Sequence, residues 1–137
     1  IDLETRKPCD LLTLYDGDIL RYIVPEEKNI CPIDGHGRFR FNDPKLVRTI
    51  NTYYSDVDIN GHINSIKYIE HILDLFSRED FENKQLSRFE IAYKAESYLG
   101  DKLSFYKQVI SDEETDIEVR KNENEVVCQA KVYFKTL

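Results

Sequence analysis

Tyr54-Ser55-Asp56-Val57-Asp58-Ile59-Asn60-Gly61-His62-Ile63-Asn64 runs directly into Ser65-Ile66-Lys67-Tyr68-Ile69-Glu70-His71-Ile72-Leu73-Asp74-Leu75-Phe76-Ser77, and this chain changes character between the two. Asp58, Asn60 and His62 stand at alternate positions, Gly61 breaks the backbone, and a helical apolar pattern follows at once. The periodicity predicts a helix over 62–77, with Ile66, Ile69, Leu73 and Phe76 on one side and Ile72 beside them. Asn60 or Asn64 is placed to cap it. A carboxylate, an amide and an imidazole thus arrive together at a helix start, whose first backbone N–H groups can polarise a carbonyl. The same residues also make a good turn and cap.

Outward from this point the chain divides in two. Before it, residues 46–55 (LVRTINTYYS) are β-branched and aromatic and predict a strand. All four prolines (Pro8, Pro25, Pro32, Pro44) and Gly17, Gly35 and Gly37 fall earlier still, so residues 1–44 read as an irregular connector with a few short extended pieces. After the helix, polar residues 77–87 lead away, and four extended segments follow. In 88–95, Phe89, Ile91, Tyr93 and Ala95 alternate with Arg88, Glu90 and Lys94; in 102–110, Leu103, Phe105 and Val109 face one way. In 115–121, Ile117 and Val119 alternate with Glu118 and Arg120; in 125–136, Val126, Cys128, Ala130, Val132 and Phe134 give the clearest period of two. Gly100-Asp101 and Asn122-Glu123-Asn124 are turn signals. One strand, one apolar helix and four antiparallel-type strands predict a sheet wrapped around the helix.

At 137 residues, 41% hydrophobic and 33% charged, the composition is that of one soluble globular domain. No apolar run is long enough to span a membrane and no signal peptide is visible, so no membrane partner is expected. A net charge of −7 argues against nucleic acid as the main partner. Cys9, Cys31 and Cys128 form neither a metal motif nor a disulfide framework, which points to a reducing compartment. The first residue is Ile1, which suggests a processed chain or part of a longer one.

Residues 46–137 resemble the C-terminal hot-dog domain of acyl-[acyl-carrier-protein] thioesterases. The resemblance rests on YSDVDINGHINSIKYIEHILDLF (54–76) and FEIAYKAESYLGDKLSFY (89–106). The family carries D-x-N-x-H before its long helix and a glutamate at the end of the following strand, here Asp58, Asn60, His62 and Glu96. Leu3-Glu4-Thr5-Arg6-Lys7-Pro8 also looks like the family's passage out of a first hot-dog domain. The resemblance therefore implies an α+β hot-dog fold over 45–137, preceded at 1–44 by an inter-domain linker with a remnant of the earlier domain. It implies hydrolysis of fatty acyl thioesters carried on an acyl carrier protein, in the cytoplasm, with no metal or organic cofactor. The expected partners are that carrier protein and a missing N-terminal hot-dog domain or a second copy of the chain. The other readings are an acyl-coenzyme A thioesterase and a non-catalytic acyl-binding or dimerisation module.

The implied site has Glu96 activating water as general base or attacking directly, and His62 with the helix-start N–H groups polarising the carbonyl. Asn60 positions water or carbonyl, and Asp58 orients Asn60 or His62. Strict alternation, however, groups Glu96 with Arg88, Glu90 and Lys94, away from the apolar face, unless the strand end twists. Plant members have a cysteine after the glutamate; Ser97 stands here, which removes a cysteine nucleophile at that place. Cys128 alternates with apolar residues and reads as core. Asp56-x-Asp58-x-Asn60-Gly61 begins like a calcium loop, but Lys67 occupies the position of the closing glutamate. His36 and His71 read as structural or surface histidines, and none of the nine tyrosines as catalytic. Residues 112–125 hold seven acidic and two basic residues, an edge that repels an acidic carrier. Arg38, Arg40, Lys45 and Arg48 form a basic stretch suited to docking one.

Overall fold

In a computed structural model of the chain, the residues described are Thr5, Lys7, Pro8, Asp10–Ile23 and 35–137. They fall into two compact units, Ile1–Gly35 and His36–Leu137. In the first, Leu11–Tyr22 forms 3₁₀ turns in place of the expected extended pieces. Asp10 caps them by accepting the Leu12 N–H at 2.9 Å, and Asp16 and Gly17 take positive φ of 55° and 81°. Cys9, Cys31, Pro25 and Pro32 lie outside the described residues, as do Leu3, Glu4 and Arg6 of the family-like residues 3–8.

The second unit is a five-stranded antiparallel sheet and two helices. Its elements are β1 (Lys45–Asn51), α1 (Ser65–Leu73), α2 (Arg78–Asn83), β2 (Lys84–Tyr93), β3 (Lys102–Val109), β4 (Glu114–Lys121) and β5 (Glu125–Thr136). The sheet order is β1-β3-β4-β5-β2, with every pairing antiparallel. Leu103, Phe105, Ile117, Val119, Cys128, Ala130, Val132 and Phe134 line one face and close over Tyr68 and Ile72 of α1. This is the α+β hot-dog arrangement expected from the sequence.

Several local expectations are corrected. β1 stops at Asn51, because Tyr54–Asp56 form a 3₁₀ turn that starts the site loop. Helix α1 is shorter than 62–77. His62 and Ile63 are held in bridges to Tyr98 and Val57 instead, and Asn64 is the N-cap, its Oδ1 accepting the Ile66 N–H at 3.0 Å. The face of α1 against the sheet is Tyr68 and Ile72; Ile66 is 58% exposed, and Ile69 and Leu73 are only half-buried. Residues 78–83 form α2, with Ser77 and Asp80 making a reciprocal capping box, and β2 begins immediately after at Lys84. Val109 is exposed beyond the core. In β5 a register shift opposite Val119/Arg120 inserts Val127, so Val127 is buried where alternation favoured Val126.

The other face of the sheet is also partly covered. Glu90, expected among solvated residues, is 5% exposed: it takes the Gly37 N–H at 3.0 Å and pairs with Arg88 at 2.7 Å. Lys131, beneath the Phe39 ring, bonds Asp116 at 3.1 Å and Glu114 at 2.9 Å. The segment 36–43 is thereby part of the second unit, its Arg40 carbonyl and Asn42 N–H both bound to Gln108.

Candidate active site

Two strand irregularities and one left-handed glycine assemble the site. Gly61 has φ 82°, a conformation side-chain-bearing residues adopt at a cost, and it turns the chain sharply between Asn60 and His62. Asp58 holds that turn: Oδ1 accepts the Asn60 N–H at 2.8 Å and the His62 N–H at 3.2 Å, while its own N–H donates to the His62 carbonyl at 2.8 Å. Asp58 therefore orients both residues through their backbones. Asp56 secures the loop from the other side. Its carboxylate accepts the Tyr53 N–H at 2.8 Å and faces His71 Nε2 at 3.4 Å, and its carbonyl accepts the Asn64 N–H at 2.8 Å.

Glu96 reaches this loop because alternation ends before it. Lys94 and Ala95 both donate to the Val127 carbonyl, at 2.8 and 3.2 Å, so two residues face one and the strand bends. The chain then pairs with the loop: the Ile63 N–H donates to the Ser97 carbonyl at 2.8 Å, and His62 bridges to Tyr98. The result sets Glu96 Oε2 3.5 Å from His62 Nε2. Asp58, His62 and Glu96, with Ile63, Ser65, Tyr68, Tyr93 and Ala95, line a cleft of about 200 Å³ at the N-terminal end of α1. The cleft thus combines three ionisable side chains with the apolar surface of Ile63, Ala95 and the Tyr68 and Tyr93 rings.

Not every expected residue converges. Asn60 is exposed and is not among the cleft-lining residues. The helix-start N–H groups of Ile66 and Lys67 are already bound by the Asn64 side chain and carbonyl. Those two donors are thus engaged, while the His62 imidazole lines the cleft. Ser97 is buried behind Glu96, its hydroxyl without a hydrogen-bond partner, as is the buried hydroxyl of Tyr68. Burial pushes the Tyr68 phenol up to about 12. Burial likewise pushes the Cys128 thiol up to about 12, so at neutral pH it is an inert core residue and no nucleophile.

Two residues escaped the sequence reading. The Tyr98 hydroxyl donates to Glu96 Oε2 at 3.1 Å, and its ring stands edge-on to the His62 imidazole, with centroids 5.2 Å apart. The Lys121 ammonium donates to the Glu96 carbonyl at 2.8 Å and lies 5.8 Å from the Tyr98 ring. Only the proximity of Tyr98 to Glu96 in sequence offered a signal. Lys121 comes from β4, and nothing in its own segment points to the site.

The sheet, the enclosed helix and a carboxylate–imidazole pair at the helix entrance define a hot-dog domain of the thioesterase type. Residues 42–136 match the model of the acyl-ACP thioesterase C-terminal domain, and the chain belongs to that family. It is 50% identical to an acyl-ACP thioesterase from Bacteroides thetaiotaomicron, covering 98% of this chain and 53% of that one, with a TM-score of 0.85. The structure of the 12:0-ACP thioesterase from Umbellularia californica is similar in fold (TM-score 0.66, 17% identity, 83% of this chain and 42% of that one). A 43-residue stretch is 42% identical to the chloroplastic dodecanoyl-[acyl-carrier-protein] hydrolase of Cinnamomum camphora, covering 31% of this chain and 11% of that protein. The chain thus spans about half the length of the Bacteroides structure it matches.

Proposed function

We propose that this protein hydrolyses the thioester of a fatty acyl group on an acyl carrier protein, releasing the free fatty acid. The observation that carries the proposal is the placement of Glu96 and His62 together in a cleft that also offers apolar surface. Glu96 takes a proton from water as the oxygen bonds to the carbonyl carbon. His62 donates a hydrogen bond to the carbonyl oxygen as it gains negative charge. The C–S bond then breaks, the sulfur recovers the proton from Glu96, and acid and thiol leave. Asp58 positions His62 through the turn, and Asn60, at the loop tip, meets water or the carbonyl only once substrate is present. The chemistry draws on water and protein groups alone.

The domain division is part of the same reading: residues 1–44 are the linker and remnant of a preceding hot-dog domain, with 36–43 packed onto the C-terminal domain of 45–137. The half-buried Ile69 and Leu73 and the exposed Ile66 on α1 are the face that this first domain, or a second copy, would cover. The carrier protein is acidic, and the exposed cations Arg38 and Arg40 offer it a complementary surface. No helix among the described residues is long and apolar enough to cross a membrane, and the unpaired thiol of Cys128 fits a reducing cytoplasm.

The test compares kcat/KM of the full-length natural protein on one acyl chain carried by acyl carrier protein and by coenzyme A. A preference for the carrier-protein substrate, weakened through KM by reversing Arg38 and Arg40 to glutamate, is expected. Equal or better use of the coenzyme A ester would overturn the carrier-protein assignment.

A further inference from the structure

Glu96 is a poor base if left to itself. Its side chain is 63% exposed, and an exposed glutamate samples many rotamers, few of which face a substrate in the cleft. The structure shows what restrains it. Oε2 receives the Tyr98 hydroxyl at 3.1 Å and faces His62 Nε2 at 3.5 Å, and among the described residues no such contact is made by Oε1. Tyr98 is in turn fixed from four sides. Its N–H donates to Asp101 Oδ2 at 2.9 Å, its backbone bridges to His62, its ring meets the His62 edge, and the Lys121 ammonium lies near its face. Lys121 also ties the Glu96 carbonyl and is itself paired with Glu125 at 3.3 Å.

Resting on the thioesterase reading, we infer that Tyr98 is the positioning residue for Glu96: its hydroxyl holds Oε2 against His62 and leaves Oε1 as the oxygen that takes the proton from water. The arrangement has a chemical consequence as well as a geometric one. A donor on a carboxylate stabilises its ionised form. Tyr98 therefore supplies Oε2 with a neutral donor and leaves Oε1 open to water. The interaction is reciprocal, and the Glu96 hydrogen bond and negative charge raise the Tyr98 phenol above its ordinary range, so it remains a donor throughout. The charged and titratable groups around Glu96 are His62 and Asp58 from the loop, Tyr98 and Asp101 from the following turn, and Lys121 and Glu125 from the β4–β5 hairpin. Of these, Tyr98 is the one whose removal takes a donor from Oε2 without changing a charge at neutral pH.

Tyr98→Phe isolates the effect, since it keeps the ring against His62 and deletes only the hydroxyl on a side chain that is half-exposed. In the full-length protein, kcat is expected to fall about tenfold with KM preserved, because the lost hydrogen bond is to a charged group and Tyr98 does not line the cleft. The Glu96 carboxyl carbon, followed by NMR in the same variant at neutral pH, should change its chemical shift as the hydrogen bond is lost. This signal needs no turnover, so it decides the role of Tyr98 even if thioester hydrolysis itself is not observed. An unmoved carboxyl resonance would overturn the inference, as would a rise in KM with kcat preserved.

Discussion

Asp58 contributes to the site through the backbone it holds, and that makes its substitution informative. Asp58→Ala removes the acceptor for two N–H groups in the turn that carries Asn60 and His62. A loss of about tenfold in kcat/KM is expected, with Asp58→Asn, which retains an acceptor oxygen, closer to wild type. On the proposed mechanism Glu96→Gln and His62→Ala act on the chemistry itself, and steady-state kinetics should show kcat lowered about a hundredfold or more in each, with KM little changed. Near wild-type turnover in either variant removes that residue from the mechanism. The sequence spacing alone brought Asp58 and His62 together, because four residues and a glycine leave the turn few options. It did not place Glu96, whose approach depends on two N–H groups sharing the Val127 carbonyl. Nor did it reveal Lys121, which arrives through sheet pairing with a strand of unrelated sequence.

Among the elements, α1 is the one on which the site depends. Ile72 is fully buried between helix and sheet, so Ile72→Ala should cost about 2–5 kcal/mol in denaturant unfolding. Asn64→Ala, removing the cap, should cost about 1 kcal/mol. A cost as small as the cap's for Ile72 would mean that α1 is not packed as described. The strands were legible to within a few residues where alternation was clean, and β5 spans the expected 125–136. Helix α2 was missed although Ser77-x-x-Asp80 spells a capping box, because five polar residues around the single Phe81 give no periodicity. The apolar stripe of α1 was also misassigned: Ile66, Ile69 and Leu73 satisfy the spacing, yet the sheet takes Tyr68 and Ile72 instead. Helical period identifies a face, but a helix that is apolar on two sides needs the sheet to decide between them. The buried Glu90 has a similar origin, since alternation places it on the outer face but cannot foresee that residues 36–39 lie across it.

At the scale of the molecule, buried acids and an apolar helix face govern stability and assembly. Burial raises the Cys128 thiol from 9.0, and the Tyr68 phenol from 10.0, to about 12. Both groups are neutral in the folded state at pH values where the unfolded chain has already released the protons. Their contribution is complete below about pH 9 and declines as pH rises toward 12, by an amount on the order of a few kcal/mol. Unfolding midpoints should fall across that range, and Tyr68→Phe or Cys128→Ala should flatten the decline; a flat profile in the wild type would contradict the burial of both. The half-exposed stripe on α1 predicts concentration-dependent self-association of the 137-residue chain in sedimentation. A clean monomer at high concentration would count against that stripe as an interface. The most direct measurement is free-acid release from a fatty acyl-[acyl-carrier-protein] by the full-length protein and by its Glu96→Gln variant. Release by the wild type that disappears with Glu96 is the predicted result. A folded wild type that leaves every acyl-carrier thioester intact, or a variant that hydrolyses as fast as wild type, would contradict it.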